Sequence, residues 1–302
     1  MNYLEIENKA DSMIAEIRKM EDRVIAEHRK KEMLRNYSGE DKVVHARDIA
    51  EMMKNEPETP VWSTKHIMID QAIGDGISPG QLISITGITK NGKSSFARHL
   101  MQNFYDSELA PCVLSFEETP REIVRKEIKY NNPIPNYYMP AVMSFDGSME
   151  WIENKVLEAI LKFGTRVILI DHLHFIVDVG GSSERFDLKI LDAVKKLKQM
   201  AQTMNVAVFL ICHLKKVAID KNPDLNDVAD SRAIAQWSDK VWCVWREGKK
   251  NDEGKFEYNG VTNLAIQADR QSGENTNIAL SFNKGRYIDT EFVDTKPKYE
   301  RF

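Results

Sequence analysis

The sequence LISITGITKNGKSS, residues 82–95, decides the fold of this chain. Its first five residues form an apolar run with strand character, and residues 94–105 after the loop have helical character. Between them lies a loop of the form G-x-x-x-x-G-K-S. Such a loop points backbone N–H groups at an anion, and the helix that follows adds its dipole. We therefore predict a phosphate-binding loop, and hence a nucleoside triphosphate ligand.

Each motif position of this loop has a distinct expected role. Gly87 and Gly92 allow the backbone to approach phosphate closely. Lys93 is expected to reach the β- and γ-phosphates, and the Ser94 hydroxyl is expected to ligate Mg²⁺. The other loop residues that we expect to bind the nucleotide are Asn91 and Ser95. A chance Gly/Lys turn is the alternative, but it does not explain a strand before the loop and a helix after it.

Composition bounds the class of protein. The chain has 302 residues, of which 42% are hydrophobic and 29% charged, as in ordinary globular proteins. The net charge of −4 gives no global nucleic-acid signature, although a local basic surface is compatible with it. No apolar run approaches ~18 residues and the start lacks a signal-peptide pattern, so we expect no membrane span and a cytoplasmic location. The three widely spaced cysteines are expected to be buried and reduced: Cys112, Cys212 and Cys243.

The first 60 residues differ from the rest. Residues 1–35 are charged and helical, with apolar residues spaced alternately by three and four. This heptad-like seam fits either a helix packed on its own domain or a contact with a neighbouring subunit. A short helix at 46–54 and an extended linker at 57–60 follow. The seam consists of Ala10, Met13, Ile17, Met20 and Val24.

From residue 67 onward, strands and helices alternate. Most strand candidates are continuous apolar runs, which is typical of parallel strands buried on both faces. This predicts a doubly wound α/β fold with a mostly parallel sheet. The tail is expected to extend the sheet as a hairpin of residues 262–269 and 276–282. The predicted strands are 82–86, 112–116, 167–170, 206–211 and 240–245, and the predicted helices are 94–105, 120–129, 149–163 and 188–204.

Polar residues follow three of the predicted strands. Asp171 ends one strand and could hold Mg²⁺, although any buried strand may end in Asp. Glu117 follows a strand that we expect beside the phosphate-loop strand, where it could deprotonate the attacking water. A helix-capping role is the alternative, which suits Glu118 better. His213 could hydrogen-bond the γ-phosphate, or it could be a solvated strand-end residue.

The ordered motifs GITKNGKSS, SFEET, VILIDHL, VFLICHLKK, DVADSRAIAQWSD and ADRQSG resemble the RecA-type motor domain of DnaB-like hexameric replicative helicases. The phage primase-helicase and Twinkle-like branch is the nearest in character. The resemblance covers about residues 63–285 and implies a RecA-like domain at 61–302 after a helical appendage and linker at 1–60. It implies an ATP hydrolase that uses Mg²⁺.

The resemblance also implies residue roles. Lys93, Glu117, His213 and Arg270 match catalytic positions, with Arg270 as an arginine finger that acts on a neighbouring subunit's nucleotide. Ser94 and Asp171 match the metal ligands. Arg246 and Phe282 match positions that sandwich the adenine. By its residue type alone, Arg270 would be a solvated hairpin arginine.

Single-stranded DNA is the partner that the resemblance implies, held in the channel of a hexameric homo-oligomeric ring. Lys215, Lys216 and Lys221 are candidate phosphate contacts. Arg232 joins them as a DNA-binding candidate, although it replaces a family glycine, and the loop 179–185 is a second candidate. The family's lysine two residues before the arginine finger is Ala268 here. The chain is too short for a primase, so a primase, loader or polymerase would be a separate protein.

The sequence also fits two other functions. A RadA-like or KaiC-like RecA-fold ATPase would act in recombination or regulation without processive unwinding. A small-molecule kinase would use the phosphate loop as a monomer with a lid. The sensor-strand HLKK and the late Arg270 argue against the kinase. If the protein is phage-encoded, its location is the cytoplasm of the bacterial host.

Overall fold

The computed structural model describes residues 3–129, 134–144, 146, 148–178, 186–213, 231–250, 256–269, 276–283 and 286–290. The chain divides into two units, Met1–Glu58 and Thr59–Phe302. All three cysteines are free and buried, as predicted. Across the described residues, every helix is too short or too polar to cross a bilayer.

The first unit contains two helices, α1 (Tyr3–Arg35) and α2 (Ala46–Met53). A capping box starts α2: the His45 side chain accepts a hydrogen bond from the Arg47 N–H, and Asp48 accepts one from the His45 N–H. The seam of α1 is an exposed apolar stripe, because four of its side chains are 53–68% exposed. These are Met13, Ile17, Met20 and Val24. The division into a helical appendage and linker at 1–60 and a RecA-like ATPase domain at 61–302 stays a prediction.

The second unit is built on an eight-stranded sheet in the order β2-β3-β4-β1-β5-β6-β7-β8. The first five strands of this order are parallel, and the last three continue it antiparallel. This confirms the doubly wound fold and the hairpin extension. The parallel strands are β1 (Leu82–Thr86), β2 (Cys112–Ser115), β3 (Val167–Asp171), β4 (Ala207–Ile211) and β5 (Lys240–Lys250); the antiparallel strands are β6 (Phe256–Asp269), β7 (Thr276–Asn283) and β8 (Arg286–Asp289).

Helices cover both faces of the parallel strands. One face packs on α3 and α4 around a buried aromatic group that includes Phe104, Phe209 and Trp242. The other face packs on α6, α8 and α9. Strands β1, β3 and β4 are buried along their whole length because they are sandwiched between these layers. The helices are α3 (Ile67–Ile73), α4 (Lys93–Tyr105), α5 (Pro120–Lys129), α6 (Met149–Phe163), α7 (Leu173–Asp178), α8 (Phe186–Thr203) and α9 (Ser231–Trp237).

One expectation about strand order is wrong. We expected the strand before Glu117 to lie beside the phosphate-loop strand, but β2 is separated from β1 by β3 and β4. The chain inserts two later strands between them, and this rearrangement is not visible in the local sequence. Glu117 therefore approaches the loop from across the ends of two intervening strands.

Strand β8 is fastened to the start of α3 by a group that we call the β8 clasp: His66, His99 and Asp289. His66 Nδ1 lies 2.5 Å from Asp289 Oδ1, and its Nε2 lies 3.1 Å from His99 Nε2. The Met68 N–H donates to the other Asp289 oxygen at 3.4 Å. Since His99 lies on α4, the clasp ties the end of the sheet to the helix that follows the phosphate loop.

Candidate nucleotide site

The predicted loop joins β1 to α4 in a conformation that requires glycine. Gly87 has φ 151°, and a Cβ there would lie 2.1 Å from the Val244 carbonyl oxygen on β5. Gly92 is the left-handed N-cap of α4, with φ 91°. Asn91 Oδ1 accepts a hydrogen bond from the Arg246 N–H at 3.4 Å. The loop is therefore fitted closely against β5, and it leads into the N-terminus of α4, whose dipole favours an anion.

Lys93 is the buried cation at the centre of this loop. Its side chain is folded against the loop, where Nζ donates to the carbonyl oxygens of Gly87 at 2.9 Å and Ile88 at 3.1 Å. Burial lowers the pKa of Lys93, while the charges of Asp171 and Glu117 oppose that shift. An ammonium has three donors, so the group retains capacity for a phosphate oxygen.

Asp171 ends β3 as a buried carboxylate, 1% exposed. Its Oδ1 has no hydrogen-bond partner within the part of the chain that the structure describes. Burial raises its pKa, whereas a hydrogen bond with the Ser94 side chain and the charge of Arg98 lower it. A hydroxyl and a carboxylate with an oxygen left over are the ligand types that Mg²⁺ prefers, so this pair fits the ion.

The neighbouring carboxylates Glu117 and Glu118 differ in their partners. Glu118 accepts a hydrogen bond from Arg98 at 3.1 Å and also pairs with Lys126. Glu117 is 48% exposed, and its nearest ionisable partner among the described residues is His172, with Glu117 Oε2 and His172 Nδ1 3.8 Å apart. The structural ion pairs thus fall to Glu118, and Glu117 remains available to a water molecule.

His172 and His213 lie together at the ends of β3 and β4, with ring centroids 4.1 Å apart. Burial, with the charges of His174 and Lys93, lowers the pKa of His172 to about 4. Burial is the main cause that lowers the pKa of His213 to about 3, and the charges of three neighbours lower it further: Lys93, His172 and His174. Both imidazoles are therefore neutral at pH 7, and each carries one N–H donor and one lone pair. Glu117, His172 and His213 form what we call the strand-end cluster.

Aromatic side chains surround Arg246 on the antiparallel side of the loop. Its guanidinium carbon lies 3.9 Å from the ring centroid of Tyr258 and 5.8 Å from that of Phe282. Tyr287, 4.9 Å from Phe282 between ring centroids, donates a hydrogen bond from its hydroxyl to the Gly92 carbonyl at 3.4 Å. Arg246 and Phe282, predicted to hold the adenine, are thus brought together beside the loop.

The structure brings together most of the predicted nucleotide-site residues, and three further residues belong with them. His172, Tyr258 and Tyr287 were not predicted. The signal for His172 was available, since it directly follows Asp171 at a strand end. No local signal marks the two tyrosines, because they reach the loop through the pairing of β6, β7 and β8.

Several predicted residues lie outside the described part of the chain. They are Arg270, Lys215, Lys216, Lys221 and the loop 179–185. Arg232 lies on the described helix α9, but its side chain is not described. Their roles stay predictions.

The order of the strands and the helices on both faces of the sheet define a RecA-like fold. Two solved structures share this fold. One is an ATPase domain that superposes with a TM-score of 0.64 at 19% identity, covering 82% of this chain and 97% of that one. The other is a DnaB-like replicative helicase, studied with its interactions with primase, which superposes with a TM-score of 0.66 at 17% identity, covering 94% and 76%.

Sequence comparison agrees with the fold. Residues 144–289 match the family model of the DnaB-like helicase C terminal domain. The replicative DNA helicase DnaB of Haemophilus influenzae is 23% identical over 271 residues, 78% of this chain and 56% of that protein. Its Rickettsia typhi counterpart is 28% identical over 148 residues, 43% of this chain and 28% of that protein. The chain thus matches about half or less of the length of these relatives.

The chain is thus similar to the DnaB-like helicase C terminal domain over residues 144–289, and it shares the RecA-type fold of the two solved structures. The matched segment contains Asp171, His172 and His213 but begins after the phosphate loop and Glu117. The loop and Glu117 are assigned to the same site by their position in the fold.

Proposed function

We propose that this protein is an ATP-hydrolysing replicative DNA helicase whose subunits form a ring of six on single-stranded DNA. The observation that carries the proposal is the convergence of Lys93, Glu117, Asp171 and His213 at one edge of the parallel sheet. Each follows or ends a different structural element, so sequence proximity alone does not explain their meeting. The DnaB-type relatives support the replicative role.

The chain's own groups account for phosphoryl transfer to water. Lys93 holds the β- and γ-phosphates, and Glu117 accepts the proton of the attacking water, since no lysine or arginine among the described residues pairs with it. The neutral His213 ring donates its N–H to a γ-phosphate oxygen. Ser94 and Asp171 would hold Mg²⁺, which neutralises charge on the phosphates when it is bound. Arg246 and Phe282 would sandwich the adenine.

Ring assembly completes the proposed site. Arg270 of one subunit would reach the nucleotide of the next, so that hydrolysis requires an assembled interface. The exposed apolar stripe of α1 supports the interpretation that this helix contacts a neighbouring subunit. Ala268 stands where the family pattern has a lysine. Arg270 is therefore the cation that remains to contact the neighbouring subunit's nucleotide.

Mixing two inactive variants tests the ring mechanism. Arg270→Ala should bind ATP but lose roughly 10³-fold or more of its hydrolysis, and Lys93→Ala should lose nearly all of it. A mixture should regain activity, because some interfaces then combine an intact loop with an intact finger. Subunit exchange must be confirmed by fluorescence energy transfer between labelled chains. If subunit exchange is confirmed and the mixture hydrolyses ATP no faster than either variant alone, the arginine is not supplied in trans.

The DNA path is tested by charge reversal at Lys215 and Lys216. Single-stranded DNA binding should weaken for all sequences, and the slope of log affinity against log salt should fall by about 1 to 2. Lys42→Glu, at an exposed position in the first unit, is the control for reversal of a single surface charge. An unchanged slope moves the DNA path to another segment, such as 179–185.

Electron microscopy separates the proposal from the RecA-fold alternative without unwinding. Purified protein with a non-hydrolysable ATP analogue and single-stranded DNA should give closed rings with density in the channel. Filaments, together with ATP hydrolysis that DNA does not stimulate, would favour a RadA-like or KaiC-like ATPase.

A further inference from the structure

The strand-end cluster has the composition of a transition-metal site. The potential ligand atoms of Glu117, His172 and His213 all lie within 4.8 Å of one another. They come from the ends of β2, β3 and β4, which are adjacent in the sheet. The ligands are therefore fixed to neighbouring rigid strands, and together they offer two imidazoles and one carboxylate.

The two imidazoles have unused coordinating capacity. His172 is 8% exposed. Within the described residues, Nδ1 of His172 and Nδ1 of His213 are both buried without a hydrogen-bond partner. A buried polar atom without a partner is unfavourable, so a ligand that uses these nitrogens is favoured. Glu117 is half exposed, and its carboxylate can turn towards them.

The donor types select the metal. Mg²⁺ prefers oxygen ligands, whereas Zn²⁺ readily takes imidazole nitrogen with a carboxylate. The edge of a tetrahedral zinc site with such ligands is roughly 3.4 Å, from metal–ligand distances of about 2.0–2.2 Å. The 3.8 Å between Glu117 Oε2 and His172 Nδ1 is close to this value. The other ligand pairs lie within 4.8 Å, so side-chain rotations must bring all three ligands closer together around the ion.

We propose that the nucleotide-free protein binds one Zn²⁺ through Glu117, His172 and His213, and that this ion blocks ATP hydrolysis. Three protein ligands leave a fourth position for water. The ligands differ from the Mg²⁺ pair of Ser94 and Asp171, and one of them is His172, to which the hydrolysis mechanism gives no role.

The inhibitory part of the inference rests on the proposed function. A Glu117 carboxylate that is bound to Zn²⁺ has given its lone pair to the metal and is a poor proton acceptor. A coordinated His213 is likewise held away from the γ-phosphate. Zinc added before the nucleotide should therefore inhibit hydrolysis even when MgATP is saturating.

Direct binding of Zn²⁺ to the nucleotide-free full chain tests the site. Competition with a fluorescent zinc chelator should give one tight site per chain. His172→Asn should weaken it by about 10²-fold or more, since even the loss of an outer-shell partner costs about 10–100-fold at zinc sites. Glu117→Gln, an exposed position, provides a second variant that does not disturb the core. His45→Asn, in the capping box of α2, is the matched control and should bind as the wild type does.

Cobalt substitution identifies the ligands. The Co²⁺ form should show a visible absorption spectrum without a thiolate charge-transfer band, because the three cysteines are buried and are not part of the cluster. A thiolate band overturns the site. So does a zinc affinity of both site variants that equals the affinity of the wild type. If zinc binds as described but the protein does not hydrolyse ATP, the proposed function fails and the zinc site stands. If hydrolysis proceeds and zinc does not bind, only this inference fails.

Discussion

The strand-end cluster and the β8 clasp each set two histidines against one carboxylate, but they differ in how fully their polar atoms are used. In the clasp, His66 contacts Asp289 at 2.5 Å and His99 at 3.1 Å, so both of its ring nitrogens are engaged. In the strand-end cluster, His172 Nδ1 lies 3.8 Å from Glu117 and has no hydrogen-bond partner among the described residues. Polar atoms that have hydrogen-bond partners hold the fold together, whereas polar atoms without a partner are available to a ligand.

This comparison predicts that changes in the cluster affect activity and that changes in the clasp affect stability. The largest expected effect concerns the general base. Glu117→Gln should keep ATP binding but lower ATP hydrolysis by about 10²- to 10⁴-fold, because the proton acceptor is removed. Steady-state phosphate release and equilibrium binding of a fluorescent ATP analogue measure the two properties.

The adjacent Glu118→Gln variant is the control for that experiment. It loses its ion pairs with Arg98 and Lys126, so the midpoint of thermal unfolding should fall slightly while hydrolysis is largely retained. If Glu118→Gln lost hydrolysis and Glu117→Gln kept it, the assignment of the base would be reversed.

A second pair of variants compares one histidine from each group. His213→Asn should lower hydrolysis by about 10- to 100-fold, the value of one hydrogen bond to a charged group, with little change in unfolding. His99→Asn should give the opposite pattern, lower stability with nearly normal hydrolysis. Urea unfolding and phosphate release on the same preparations check both. The comparison fails if the two variants lose activity equally at equal stability.

The most gradual expected effect is a change in the pH dependence of stability, because it is spread over more than two pH units. Burial is the main cause that lowers the pKa of His99 to about 4, and the charges of His66 and Arg286 lower it further. The charge of Asp289 acts in the opposite direction. The unfolded chain, with a pKa near its ordinary 6.5, binds the proton more readily between these values. Stability should therefore fall as pH drops from about 6.5 to about 4, by on the order of 3 kcal/mol from this group.

Urea unfolding at a series of pH values measures this slope. His99→Asn should reduce it by up to about 1.4 kcal/mol per pH unit in that window. If the slope is identical in wild type and His99→Asn, the folded clasp does not disfavour protonation of His99. His172 and His213, whose pKa values are also lowered, contribute to the remaining slope with the same sign.

Local pattern was sufficient for most of the parallel core. The predicted bounds of β1, α5 and α6 coincide with those observed, because buried apolar runs and amphipathic helices carry their period within a few residues. The short helices α3, α7 and α9 and the strand β8 were not predicted. Each is four to seven residues long, too short for a period to stand out.

The candidate site divides in the same way. Lys93, Ser94 and Asp171 could be found from sequence, since a loop motif and a strand-end carboxylate are local features. The involvement of His172 depends on the meeting of β3 and β4, and that of Tyr287 depends on the antiparallel extension. Strand order was predicted incorrectly at β2, because no local feature of the sequence indicates which strands lie between two others in the sheet.

The sequence by itself determined the phosphate loop, the alternation of strands and helices, and the residue types available at each strand end. Those features depend on steric and apolar patterns among neighbouring residues. Only the tertiary structure decided which of two adjacent glutamates is paired, which histidines keep unused nitrogens and which aromatic rings surround Arg246. These properties depend on desolvation and on contacts between residues far apart in the chain, because a charge or a lone pair acquires its chemistry from the groups that the fold places around it.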